Sequence, residues 1–323
     1  KAHARSISSP LDPVLNLRDA TGKSIKGNDD ANNGPDSLIT HTFTADGEYI
    51  LSIYDHLRKG GPHHIYRIET ETFSPEVVAS IPYLRQRDSQ TRQMIPVPRG
   101  NRVATIMNAT RRNFSGELEF MAKNLPKGVT MHAPKVASNL TQVPIVFEAA
   151  ADAPLAQSLV DLRLRHLGKS GKKIEGGFRQ KIDLVYGPPN NRTYLECALD
   201  KLVVAATEKA PYSIKLIPPP TAILQNGSMS LKVVATRDAN FTAAINVRML
   251  TRPPGIGASG SVTIPAGKNE VNYPITANGS AGVGTWQIAV LGASNTSTGE
   301  VLVASTLTNL VIEPPYLSMK INM

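Results

Sequence analysis

The chain has 323 residues, 41% of them hydrophobic and 5% aromatic, which is enough apolar content for two or three packed domains and too much for a disordered tail. Its net charge of +9 invites a polyanion, yet the densest basic cluster (Arg163, Arg165, His166, Lys169, Lys172, Lys173) reads as two strands around a solvated hairpin tip, with no interleaved aromatics for stacking bases. A single cysteine, Cys197, excludes an internal disulfide framework and reads as a core thiol, and no apolar run reaches the roughly 18 residues of a membrane span.

In chain order, the sequence opens on Lys1 with no charged-then-apolar leader behind it, and reads as a piece of a longer chain. Residues 27–37, GNDDANNGPDS, come next. Asp29, Asp30 and Asp36, with Asn28, Asn32 and Asn33, supply the hard oxygen ligands that calcium prefers. The same residue types also build turns, because Asn and Gly tolerate positive φ and Asp side chains bond nearby backbone N–H groups. EF-hand spacing is absent, and both readings stand.

From here apolar residues recur in short alternating runs: YILSIYD, PIVFEA, SLVDLRLRHL, KIDLVYG, SLKVVAT, AAINVRML, WQIAVLG and VLVAS. Each is strand-length and bounded by Gly, Pro, Asn or Asp, so the pattern predicts β-sandwiches. Residues 193–209 have a helical alternative, but Leu202-Val203-Val204 draws them toward strand. Repetition is the clearest feature. FSGELEFMAKNLPKGV (114–129) aligns without a gap on FTAAINVRMLTRPPGI (241–256), matching Phe114 to Phe241, Pro126 to Pro253 and Gly128 to Gly255. VPIVFEAAADAPLA answers VNYPITANGSAGVG, and Pro-Tyr occurs at 82–83, 211–212 and 315–316 as an apparent start of each copy. The first copy is longer, and its surplus falls in GPPNNRTYLECALDKLVVAATEK, read as an added hairpin.

No GxSxG, HExxH, phosphate loop or dinucleotide fingerprint occurs. His63 and His64 are adjacent, so on a strand they point to opposite faces and cannot easily share a metal. Glu117 and Glu119 read as a solvated strand face.

Residues 8–69 carry SPLDPVLNLRDATGKSIKGNDD, DSLITHTFTADGEYILSIYDH and GGPHHIYRIE. Asp12-Pro13 before a strand, Asp19 and Gly22 in a hairpin, the acidic loop, Ala45-Asp46-Gly47-Glu48-Tyr49 and the closing Tyr66-Arg67-Ile68 resemble the later strands of the bacterial pre-peptidase C-terminal domain. That resemblance implies a small jelly-roll module, appended to secreted proteases and surface proteins. It also implies calcium at Asp29 and Asp30, with Asp12, Asp19 and Asp36 as helpers. The remaining chain is similar to the immunoglobulin-like modules of large exported bacterial proteins.

The expected architecture is therefore all-β: a partial jelly-roll module at 1–73, an immunoglobulin-like sandwich with an extra C-terminal hairpin at 74–210, a second sandwich at 211–314, and the start of a further module at 315–323. The expected function is a non-catalytic structural or interaction segment of an exported bacterial surface protein, extracellular or at the cell surface. Its partners would be other modules of the same long chain, copies of itself, or an extracellular matrix or polysaccharide polymer, with no nucleic acid and no membrane span. The alternative is an ancillary polymer-binding region of a secreted hydrolase whose catalytic domain lies outside this chain.

Overall fold

A computed structural model of the chain describes residues 1–31, 35–82, 94–168, 173–188, 192–297 and 299–316. It is all-β apart from one 3-10 turn at Arg5–Ile7, and it divides into two compact units, Lys1–Ser74 and Pro75–Met323.

Unit 1 holds β1 (Ala2–His3), β2 (Pro13–Asp19), β3 (Ser24–Asn28), β4 (Tyr49–Asp55) and β5 (Arg67–Ile68). β1 pairs with β5, and β2 is the centre of an antiparallel sheet ordered β3-β2-β4. Alternation sets the inward face of β2, where Pro13, Leu15 and Leu17 are buried while Val14, Asn16 and Arg18 are half-buried. The buried apolar set of this unit is small, comprising Ala2, Ala4, Leu11, Leu15 and Leu17 among the described residues. Phe43, Leu57, Ile65, Tyr66 and Phe73 stay exposed.

Unit 2 contains two sandwiches. The first holds β6 (Glu76–Ser80), β7 (Met94–Pro98), β8 (Arg102–Arg112), β9 (Glu119–Lys123), β10 (Val129–His132), β11 (Gln142–Ala149), β12 (Ala156–Leu167), β13 (Lys173–Gly177), β14 (Gln180–Gly187), β15 (Arg192–Leu199) and β16 (Leu202–Thr207). The second continues with β17 (Tyr212–Leu216), β18 (Ile223–Leu224), β19 (Ser228–Arg237), β20 (Ile245–Met249), β21 (Ile256–Ala258), β22 (Val262–Ile264), β23 (Glu270–Ala277), β24 (Gly284–Ile288), β25 (Val290–Thr296), β26 (Gly299–Ala304) and β27 (Thr308–Glu313).

The two are copies of one immunoglobulin-like topology. One sheet runs β6-β8-β11-β10 in the first copy and β17-β19-β23-β21 in the second. In the facing sheet, β12 carries β16 on its first half and β9 and β13 on its second. The second copy splits that strand at Ala289: β24 pairs with β27, and β25 pairs with β20 and β26. β7 lies parallel to β16 as β18 lies parallel to β27. Equivalence extends to single residues. Gly128 and Gly255 both adopt φ +78°. Each opens its next strand from a turn in which Val129 N–H donates to Pro126 O and Ile256 N–H to Pro253 O, both at 3.0 Å.

Four details depart from the sequence reading. Phe114 and Phe241 occupy equivalent positions, but in the loops before β9 and β20 rather than in the strands. Pro-Tyr does not mark one point of the repeat: Pro211-Tyr212 opens β17, whereas Pro82 follows the equivalent strand β6, and Tyr83 lies outside the described residues. Cys197 is exposed, not in a core. It lies on β15, whose ladder with β14 is a separate two-stranded sheet, inserted between β13 and β16 where the second copy passes directly from β26 to β27. That hairpin is the surplus of the first copy. Residues 202–207, read as part of it, are instead β16, integral to the sandwich.

The sandwiches join where β8 meets β26, with β11 beside β8 in the same sheet. The run Val143–Phe147 of β11 is buried throughout rather than at alternate positions, the pattern of a strand covered on both faces. The apolar cluster of the first sandwich takes in Ala289, Leu291 and Ala304 from the second. Asn101 Nδ2 donates to the Tyr212 carbonyl at 2.8 Å across the same junction, and Arg99 pairs with Glu208 at 2.6 Å.

Candidate functional site

In unit 1 the acidic residues end turns. Asp19 Oδ1 accepts from Thr21 N–H at 2.9 Å, Thr21 O–H at 2.6 Å and Lys23 N–H at 3.0 Å, closing the hairpin between β2 and β3. The Thr21 hydroxyl is the main cause holding that carboxyl below its usual range. Asp36 is buried, and its carboxylate accepts from the N–H groups of Ala4 (2.9 Å), Arg5 (2.8 Å) and Ser6 (3.1 Å), capping the 3-10 turn. Burial pushes its carboxyl up, but the Ser6 hydroxyl and these three N–H donors outweigh it and bring the pKa down to about 2.

Asp29 Oδ1 accepts from the Asp30 N–H at 3.1 Å, and its other oxygen lies 3.8 Å from His56 Nδ1. Asp30 uses its carbonyl, which accepts from Asn28 Nδ2 at 2.8 Å, and Asp12 uses its N–H, which donates to Asp55 Oδ1 at 3.0 Å. Among the described residues no group of three or more His, Cys, Asp or Glu is placed to hold a metal. Asn32 and Asn33 lie outside the described residues. Of the five carboxylates expected at a calcium site, those of Asp19, Asp29 and Asp36 accept from backbone N–H groups. Asp55 is the cap the sequence reading missed: it also receives Leu57 and Lys59 N–H at 3.0 Å. Its signal was an Asp at a strand end ahead of a Gly-rich turn.

These caps give a direct prediction. Asp36 has a depressed folded pKa, so its contribution to unit 1 is present above the unfolded carboxylate range and is lost as pH falls from about 4 toward 2. Asp36→Asn should cost unit 1 about 2 kcal/mol at neutral pH, because the amide puts an N–H against the Ser6 donor. It should also flatten the acid limb. Amide exchange of residues 2–9 across pH 2 to 5 reads both effects.

Unit 2 holds a different kind of site. Three hollows of about 700, 440 and 320 Å³ share Gln287. The largest is walled by the loop between β10 and β11, the loop between β20 and β21, and β24. Gln287 and Trp286, the sole tryptophan, are on β24. Trp286 is half-buried: its indole N–H donates to the Gly282 carbonyl at 2.6 Å, and a Cβ on Gly282 would stand 2.8 Å from the ring. Gly282 is small so that the ring can lie there. Lys135 and Arg252 line the same hollow, and no carboxylate does. In the adjoining one Glu148 is already engaged, with Arg102 and, at 3.3 Å, with His132. Lys215 lines the third.

The fold and sites define a class: a small all-β unit with capped turns, followed by tandem immunoglobulin-like sandwiches. Comparison adds a partial sequence relative. No family model matches the chain. A stretch of 52 residues is 54% identical to a probable subtilase-type serine protease of Deinococcus radiodurans, covering 16% of this chain and 7% of the protease. The chain thus spans a small fraction of that relative. Similar solved structures include domains 4–9 of the surface layer protein SbsC (14% identity, 93% of this chain and 45% of that one, TM-score 0.25). BcpA, the major pilin subunit of Bacillus cereus, is also similar (10% identity, 94% and 93%, TM-score 0.25). So are the fibronectin(III)-like modules of Clostridium thermocellum CbhA (11% identity, 71% and 94%, TM-score 0.22). Scores this low add nothing to the topology described above.

Proposed function

We propose that this chain is a non-catalytic spacing and interaction segment of a large exported bacterial protein, working outside the cell or on its surface. The observation that carries the reading is the joint between the sandwiches. A duplicated fold with one continuous apolar junction holds its parts in fixed relation, as a spacer requires. The exposed Phe43, Leu57, Ile65, Tyr66 and Phe73 of unit 1 support an interaction role for that unit, which the resemblance to the pre-peptidase C-terminal domain also suggests. Purified chain should turn over neither casein, gelatin nor common polysaccharides. Robust hydrolysis abolished by one substitution would overturn the reading.

The match to a subtilase-type protease favours a second reading, in which the same modules are an ancillary region of a secreted hydrolase. Sequencing the coding region on either side separates the two: a peptidase or glycosidase domain supports the second, further sandwich repeats the first.

A further inference from the structure

We infer that the trough shared by the three hollows of unit 2 is a binding site for an acidic polysaccharide, an extended chain of uronate-type sugars. The inference rests on the non-catalytic binding role proposed above and names its ligand.

The size and shape fit a polymer rather than a small metabolite. Each hollow lies in the range of a ligand pocket; the first and second share Ala133, the second and third share Thr306 and Leu307, and all three meet at Gln287, so they adjoin in series. Its charge is one-sided. Among the described residues Lys135, Arg252, Arg102 and Lys215 line it against the single carboxylate of Glu148, which Arg102 already engages. Arg252 is exposed and has no ion-pair partner among the described residues. Lys135 has one, Glu117 at 3.1 Å, with both side chains well exposed, so the pair is weak and exchangeable.

The neutral part of the lining decides between polyanions. The Trp286 N–H is already bonded to Gly282, so what the ring offers the trough is apolar surface, the complement of a sugar's C–H face. Gln287 and Asn139 supply amides, which can donate to and accept from neighbouring hydroxyls at once. Arg252 presents a planar fork matched to a carboxylate. A single-stranded nucleic acid would need several stacking rings, and among the described lining residues Trp286 is the one Phe, Tyr or Trp. An acidic peptide would find the cations and could pair its backbone with the amides, but it lacks the rigid C–H face that a pyranose ring lays on an indole.

Trp286 is its own reporter, since no other tryptophan contributes emission. Titration of the full chain with hexameric oligogalacturonate should change that emission saturably, while maltohexaose should not. The affinity should fall about tenfold in the R252A/K135A double variant. It should also fall when NaCl is raised from about 0.05 to 0.5 M. Calorimetry on W286F, whose melting temperature checks the fold, should show weakened binding. No binding of oligogalacturonate by fluorescence or calorimetry overturns the inference. So does equal binding of maltohexaose, undiminished affinity in R252A/K135A, or tighter binding of poly-L-glutamate, the last marking the trough as a site for acidic peptides. A reducing-end assay on the same mixtures separates the two claims. Cleavage of the oligomer would refute the non-catalytic role and leave the site standing, whereas absence of binding without cleavage would do the reverse.

Discussion

Gly255→Ala should destabilise unit 2 by about 3 kcal/mol, and Gly128→Ala by about 2 kcal/mol. Both glycines sit at φ +78°, a region that disfavours any side chain. Space makes the difference between them. A Cβ on Gly255 would stand 2.4 Å from Ala281 Cα and 2.7 Å from Asn278 Oδ1, so backbone must move. A Cβ on Gly128 would first meet the Ala153 Cβ at 2.8 Å, and then that residue's Cα at 3.1 Å. The contact is the same in both copies. Each glycine opens the fifth core strand of its sandwich beneath the loop that leaves the central one, where Ala150 N–H donates to Gly128 O and Asn278 N–H to Gly255 O. Denaturant melts of the two single variants measure the effects. If one variant is neutral while the other is costly, the two turns are not equivalent and the duplication is looser than the topology indicates.

Arg111→Met should cost about 2 kcal/mol, with Arg237→Met costing somewhat less. Arg111 stands near the end of β8 and its guanidinium donates to four carbonyls: Gly116 (2.8 Å), Leu140 (2.7 Å), Val136 (2.8 Å) and Ala137 (3.0 Å). Arg237 ends β19 in the same way, donating to Lys268 (3.0 Å), Ala243 (2.6 Å) and, at 3.4 Å, Pro265. Each arginine ties two loops of one end of its sandwich to the strand between them. Burial lowers the Arg111 pKa, yet an arginine remains charged at any working pH, so the clamp should be insensitive to pH between 5 and 9. Arg111→Lys should recover only part of the loss, because an ammonium cannot reach four carbonyls in one plane. The two losses should add within about 0.5 kcal/mol, as the sites share no partner.

The duplication was legible in the sequence because its markers are local. Pro126 with Gly128 and Pro253 with Gly255 fall at one spacing, since the turn needs positive φ wherever it occurs. Strand alternation in SLKVVAT and INVRM was equally plain, and β19 and β20 bury alternate residues accordingly. The trough was not legible. Its largest hollow alone is lined by three segments, around Asn139, Arg252 and Trp286, which only the packing of two sandwiches brings together. One tryptophan in the whole sequence is a thin signal for sugar binding, and composition cannot place that ring beside the amides of Asn139 and Gln287 and the cations of Lys135 and Arg252. The acidic residues read two ways for the opposite reason. Their types suit both a metal and a turn, and whether a lone pair faces an ion or an N–H depends on backbone positions that composition does not encode. Cys197 was placed in a core from residue type alone, because the ladder carrying it had no visible reason to stand apart from the sandwich.

The parallel ladders bear on tension. In the first sandwich β7, near the entering end of the chain, lies parallel to β16, the strand by which it leaves, over the five pairs from Val203–Met94 to Thr207–Pro98. A pull applied at the two ends of such an arrangement runs along those hydrogen bonds' ladder and loads all of them together, so they fail in shear. An antiparallel hairpin pulled at its open end parts one bond at a time, like a zipper. The second sandwich repeats the geometry with only two pairs, Ile223–Ile312 and Leu224–Glu313. Under stretching in an optical trap or force microscope, the second sandwich should yield first and the first should hold to higher force, a graded response in which one sandwich extends while the other keeps its fold.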